Sequence, residues 1–416
     1  MGILPESAYQ MRLPQMHRVV QHFDGKKLED VEGAVRAELR KEEIRRLVKP
    51  GMRVAMAVGS RGISNMALIA RTTAEELKAM GAEPFIIPAM GSHGNAEAEG
   101  QRQVLAGYGI TEETMGVPIV SSMETDELGT TPSGVPVCID RSANHADLIV
   151  PLNRVKPHTD FHGPIESGLC KMLTIGLGKH EGCSRLHQQG FVKFPELIPE
   201  AARLVIEKAP VGFGVAIIEN SYDQTFHVEA VPADRIHQRE PGLLNIAREK
   251  MPRIKLRDID VLVIDVLGKD ISGAGMDPNI TGRTTKGGLE GFQGPKIQRI
   301  VVRGLTEATH GNACGIGLAD YILQSCSDQI DLPATFTNTI GSGNPEAGRI
   351  PIRVESVREG VIASLRTCVG EDLANPKIVF IKSTLSLGEI WVSDALLPEA
   401  EANPELEVCP EVRDCD

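Results

Sequence analysis

The chain reads as an α/β protein of two domains, each a mostly parallel sheet flanked by helices, with an active-site cleft between them. Three observations carry that reading. Short apolar runs alternate with helix-patterned stretches, as βαβ units do. Two of those runs open into similar glycine turns, Gly59-Ser60-Arg61-Gly62 and Gly91-Ser92-His93-Gly94, 32 residues apart. A length of 416 residues also exceeds what one core holds, so two domains are the default.

Taken in order, Arg53–Val58 (RVAMAV) is a strand that runs into the first glycine turn. A helix follows from about Asn65 to Met80, closed by Gly81. Pro84–Pro88 is the next strand, leading to the second turn and a helix around Ala96–Ala106. The strand Asp147–Leu152 (DLIVPL), a helix at about Pro195–Lys208 and the strand Val211–Ile218 complete the first series. The charged, helix-prone stretch Gln238–Arg257 reads as the hinge, which sets the domains at 1–252 and 253–416. In the second domain, Asp260–Leu267, Arg299–Arg303 and Lys377–Ile381 read as strands, with helical stretches at about Gly317–Ser325 and Val354–Leu365. The acidic end, Glu399–Asp416, reads as a loosely packed terminus.

Composition narrows the function. Hydrophobic residues at 41% and charged residues at 24% are ordinary for a globular protein. A net charge of −12 argues against nucleic acid or an anionic membrane as the main partner. No apolar run approaches the ~18 residues of a membrane span, and MGILPES lacks the features of an export signal. It matches the myristoylation pattern only weakly. Eight scattered cysteines without a CxxC pair suit free thiols in a reducing cytosol. The expected setting is therefore cytoplasmic, with a small-molecule substrate.

The chemistry concentrates in Asn153–Gly190, which holds four of the eleven histidines, two cysteines, Lys171 and Lys179 directly after a strand. Neighbouring parallel strands would bring Arg61, His93, Lys156 and His158 to one carboxyl-terminal edge, where open α/β sheets bind ligands. Arg61 and Ser60, at a probable helix start, suit an anion. His93 sits between glycines on an exposed loop. Pro157 restricts its neighbours and delivers His158 rigidly, which suits proton transfer. Lys171 lies in an apolar stretch, where an amine is costly to bury without a purpose or a snorkelling route. Lys269, after a second-domain strand, would face these groups across the cleft. His158, His162, His180 and His187 with Asp160 or Glu181 leave a zinc hydrolase or lyase open, although their spacing matches no standard zinc signature.

Arg61, Gly91-Ser92-His93, Pro157-His158, Lys171 and His187, in this order and with Gly129–Val137 (GTTPSGVPV) between, resemble the nickel-dependent lactate racemase family. The resemblance covers most of residues 50–190. It implies a racemase or epimerase that inverts the α-carbon of a 2-hydroxyacid by hydride transfer to a nickel-pincer nucleotide, through a 2-keto acid. It assigns His93 and His158 as acid and base, Lys171 as the lysine that carries the cofactor or sits beside it, and His187 as a nickel ligand. The Ser60–Arg61 loop would hold the cofactor phosphate. Partners implied are the cofactor-building enzymes, and an oligomer is left open. The family's FSGG-type run and YQxxK contacts are replaced by FHGPIESGLCK and GKDISGAGMDPNITGR, so the expected substrate is a more polar hydroxyacid than lactate. A binding homologue that has lost the cofactor is the other alternative.

Overall fold

The computed structural model describes residues 2–59, 62–285, 294–370 and 374–416. Two compact units divide the chain: Asp24–Met251, and Met1–Phe23 together with Pro252–Asp416. The first 23 residues, expected in the N-terminal domain, thus join the C-terminal unit. The reason is β1 (Met16–Gln21), which pairs antiparallel with two strands near the far end of the chain.

The unit Asp24–Met251 is built on a five-stranded sheet of order β3-β2-β6-β7-β8. Its strands are β2 (Arg53–Val58), β3 (Glu83–Pro88), β6 (Leu148–Arg154), β7 (Phe213–Glu219) and β8 (Thr225–Pro232). The first four run parallel and β8 returns antiparallel. A separate hairpin, β4 (Thr125–Thr130) with β5 (Pro136–Asp140), lay outside the expected strands. Alternate residues serve opposite faces. Ala55, Ala57 and Ile149 pack with Phe194, Leu197, Ala201, Leu243 and Leu244, whereas Val54, Met56, Val58 and Val150 pack with Val35, Ile69 and Leu77. Each large side chain buried this way contributes roughly 1.5–3 kcal/mol. Cover on both faces explains why the runs are continuously apolar.

The stretch Gln238–Arg257, expected as the hinge, does contain the division between the units at Met251–Pro252, but most of it is packed helix. Ile236–Lys250 is a helix with Leu243, Leu244 and Ala247 buried, and its charges are ion-paired, Arg239 to Glu229, Arg248 to Glu166 and Lys250 to Asp24.

The other unit holds an eight-stranded sheet of order β12-β11-β10-β9-β13-β14-β1-β15. It comprises β9 (Asp258–Leu267), β10 (Lys296–Leu305), β11 (Tyr321–Leu323), β12 (Ile352–Val354), β13 (Ile378–Ile381), β14 (Glu389–Ser393) and β15 (Leu406–Arg413), besides β1. The five strands β9 to β13 run parallel, and β14, β1 and β15 alternate antiparallel beyond them. Gly317–Ser325 is largely not helical. Tyr321 and Ile322 pair with Val301 and Val302, a tertiary pairing that overrides a weak local pattern. The acidic end is ordered too, as the helix Leu397–Ala402 and the strand β15. Its polarity is that of an edge strand with a bulge opposite His17–Val19, where Pro410 is tolerated.

Within the Asp24–Met251 unit, the chain passes from β2 to β3 on one side and then returns to β6 on the other. The carboxyl ends of β2 and β6 therefore flank the point where strand order reverses, the usual ligand position in open α/β sheets.

Candidate active site

Beyond β6 the chain turns at Pro157 and forms a compact loop closed by paired hydrogen bonds between Lys156 and Ser167 (3.0 and 3.3 Å). Glu166 is its anchor. The fully buried carboxylate accepts from the His158 N–H (2.6 Å), His162 Nδ1 (3.1 Å), the Gly163 N–H (3.0 Å) and Arg248 Nη2 (2.5 Å). Burial alone would raise the Glu166 carboxyl, but the His162, His158 and Gly163 donors outweigh it and hold it below the usual carboxylate range.

His158 is thereby fixed in place. The Asp160 N–H lies 3.0 Å from Nδ1, and the Asp160 carboxylate 3.7 Å from the same nitrogen. Nε2 lies 2.6 Å from Lys171 Nζ. The two nitrogens share one hydrogen bond, whose direction the His158 tautomer sets. Phe161, with its ring centroid 4.5 Å from that of His158, walls the pair.

Lys171 ends the short helix Leu169–Lys171, which continues through a π-turn at Met172–Gly176 into the helix Lys179–His187. Such π-turns recur at functional sites. At the far end, His187 Nδ1 lies 2.7 Å from the Cys183 carbonyl, which can only accept, so Nδ1 carries the proton. That bond orients the ring, as an outer hydrogen bond orients a metal-ligating imidazole. Phe191 and Phe194 meet the ring edge-on at 5.3 and 5.2 Å.

The turn after β3 lies against this helical segment. The Gly91 N–H bonds the Gly176 carbonyl (3.1 Å), and Ser92 Oγ is 3.9 Å from Cys183 Sγ. Gly91 has φ +59°, and a Cβ there would press on Cys183 Sγ and the Ile175 carbonyl, each at 3.2 Å. Burial raises the Cys183 thiol, so it is a neutral wall and not a thiolate. The adjacent His93 imidazole is exposed. Contacts run from Ser92 through Cys183, His187 and Phe191 to His158 and Lys171, so three of the expected residues lie together and the His93 turn starts beside them.

Ser60 and Arg61 lie outside the described residues. Lys269 belongs to the other unit, where its N–H bonds Thr309 Oγ1 (3.1 Å) and its amine the Gly273 carbonyl (2.6 Å). His162 pairs with Glu166 and His180 is exposed. Zinc sites use three or four protein ligands. Among the described residues, no three His, Cys, Asp or Glu side chains are grouped to hold a metal ion. Glu166, Gln101 and Glu240 carried no sequence signal, because each has a partner 70 to 82 residues distant and several partners are backbone groups. Among the described residues, no helix is long and apolar enough to cross a membrane.

The α/β fold is shared with a crystal structure of a protein from Thermotoga maritima, at 13% identity and a TM-score of 0.51 over 76% of this chain and 82% of that one. The lactate racemase apoprotein from Thermoanaerobacterium thermosaccharolyticum superimposes at 15% identity and a TM-score of 0.48, over 93% of this chain and 92% of that one. No curated protein matches the chain. Residues 6–196 match the lactate racemase N-terminal domain, a segment that contains His93, His158, Lys171 and His187. Over that N-terminal segment the chain is similar to the lactate racemases.

Proposed function

We propose that the protein racemises or epimerises a 2-hydroxyacid other than lactate, with a nickel-pincer nucleotide at Lys171 and His187. The observation that carries this is the 2.6 Å approach of the Lys171 amine to His158, on the same helical segment as His187, whose Nδ1 bonds the Cys183 carbonyl. These donors fit the group: the amine suits covalent attachment, and the imidazole suits nickel. When bound, the cofactor supplies a reversible hydride acceptor for the substrate α-carbon.

The chain's own residues handle the proton. An α-hydrogen beside a carboxylate is too weakly acidic for a side-chain base, so oxidation at carbon must be coupled to loss of the hydroxyl proton. His93 and His158 would each take that proton from one orientation of the hydroxyl and return it after inversion. A cofactor held at Lys171 would take up that amine and leave His158 Nε2 to the substrate hydroxyl. Glu166 keeps the His158 backbone in place throughout, and Phe161, Phe191 and Phe194 exclude water around the imidazoles.

The test is full-length protein co-expressed with cofactor-building enzymes and screened against enantiopure 2-hydroxyacids, including sugar acids. Loss of optical activity with nickel bound, abolished in His93→Ala and His158→Ala, supports the reading. Stoichiometric zinc, or parental rates in both variants, overturns it.

A further inference from the structure

We infer that Gln101 is a positioning residue that holds the His93 turn in register with the helix carrying His187. Gln101 is fully buried on the helix Ala98–Gly107, eight residues beyond His93. Its amide nitrogen donates to the Gly91 carbonyl (2.8 Å) and to the His93 carbonyl (3.2 Å). Its amide oxygen accepts from Lys179 Nζ (3.2 Å). The ammonium side fixes which way the amide faces, and the two carbonyls agree with it, so the assignment is self-consistent.

Lys179 is itself fully buried and stands in the left-handed region at φ +52°, a conformation costly for a residue with a Cβ. Besides Gln101 its amine reaches the Pro88 carbonyl (2.6 Å) and Asp140 Oδ2 (3.1 Å). Pro88 is the last residue of β3, from which the His93 turn springs. Asp140 is tied in turn to the Leu177 carbonyl through its N–H (2.7 Å) and to the Ala143 N–H through Oδ1 (2.9 Å). One buried amine thus pins the root of the turn, the start of the His187 helix and the amide that brackets His93.

The two carbonyls converge on a single point and repel each other unless a donor lies between them. A carboxamide alone supplies two donors toward them and an acceptor toward Lys179. A carboxylate keeps the shape and the Lys179 contact but loses both donors. Leucine loses all three bonds. This gives the clamp a test separate from packing.

The kinetic consequence rests on the racemase reading, whereas the structural one does not. In the full-length protein, amide hydrogen exchange of residues 90–96 is measured for the parent, Gln101→Glu, Gln101→Leu and Lys179→Met, with the helix Met66–Ala79 as internal reference. All three variants are expected to exchange at 90–96 at least about tenfold faster, with the reference unchanged. A Gln101→Glu variant that exchanges like the parent overturns the clamp, since packing alone would then hold the turn. In nickel-loaded protein, Gln101→Glu is expected to lower kcat about 30-fold, equally in both directions, with KM within about threefold. If the parent proves inactive on every hydroxyacid while the exchange result holds, the racemase reading fails and the clamp stands. If the parent is active and Gln101→Glu matches it in kcat, the positioning role is overturned.

Discussion

Lys171 shows how a single side chain can be read only in part from sequence. Its placement in GLCKMLTIGLG marks an amine that burial would penalise, but the relief comes from His158, thirteen residues earlier and held by the Asp160 N–H. An amine that accepts from that ring is neutral and should be reactive near neutral pH. With formaldehyde and borohydride at pH 7, Lys171 is expected to be alkylated about tenfold faster than the exposed Lys193, read by peptide mass spectrometry. Equal rates would place a proton on Lys171. Glu166 is a second case. His162 looked like a metal ligand because imidazoles beside a strand end suggest one, yet it is one of four donors to a buried carboxylate. Glu166→Ala leaves Arg248 and three further donors without that partner and is expected to cost about 3–5 kcal/mol in urea unfolding. A loss below 1 kcal/mol would show that the loop holds itself.

At the scale of the element, the segment from Leu169 to His187 starts under a second buried acid. Glu240, 1% exposed, accepts from the Cys170 N–H at 3.0 Å, and its other oxygen lies where a Cβ on Gly168 would sit, 2.0 Å away. Burial raises its carboxyl from 4.5 to about 7, against the opposing hydrogen bonds from Cys170 and Leu169. The folded state therefore binds more protons than the unfolded chain between pH 4.5 and 7. That contribution is fully present below pH 4.5 and is lost as pH rises through 7, a change of about 3 kcal/mol. Glu240→Gln keeps an acceptor for Cys170 and removes the titration. Stability of the variant relative to the parent should rise with pH across that window, and a pH-independent difference would contradict the assignment. Most strands of the parallel sheets were legible, because burial on both faces writes itself as an unbroken apolar run such as RVAMAV. Edge elements were not. The strand β15 carries its polarity outward, and β11 has only three residues to show.

For the whole molecule, the least legible feature was the destination of the N-terminus. Met16 and Val19 are buried between strands more than 360 residues away, a pairing that no local pattern encodes. The unit Asp24–Met251, by contrast, closes its own sheet and both of its faces. Deleting residues 2–21 removes the strand shared by β14 and β15 and should destabilise only the other unit. Limited proteolysis of that deletion is expected to leave a fragment of about 24–251 intact while the C-terminal part is digested. Digestion of both parts alike would contradict an independent N-terminal unit.

The central claim, that His158, Lys171 and His187 form a nickel-dependent 2-hydroxyacid isomerase site, is tested most directly by polarimetry. The full-length protein, co-expressed with cofactor-building enzymes, is given a panel of single-enantiomer 2-hydroxyacids. Decay of rotation for at least one acid, with nickel bound and the decay lost in Lys171→Ala and His187→Ala, is the predicted result. A nickel-loaded parent that leaves every acid unchanged, or an active one whose Lys171→Ala and His187→Ala variants keep the parental rate, would contradict it.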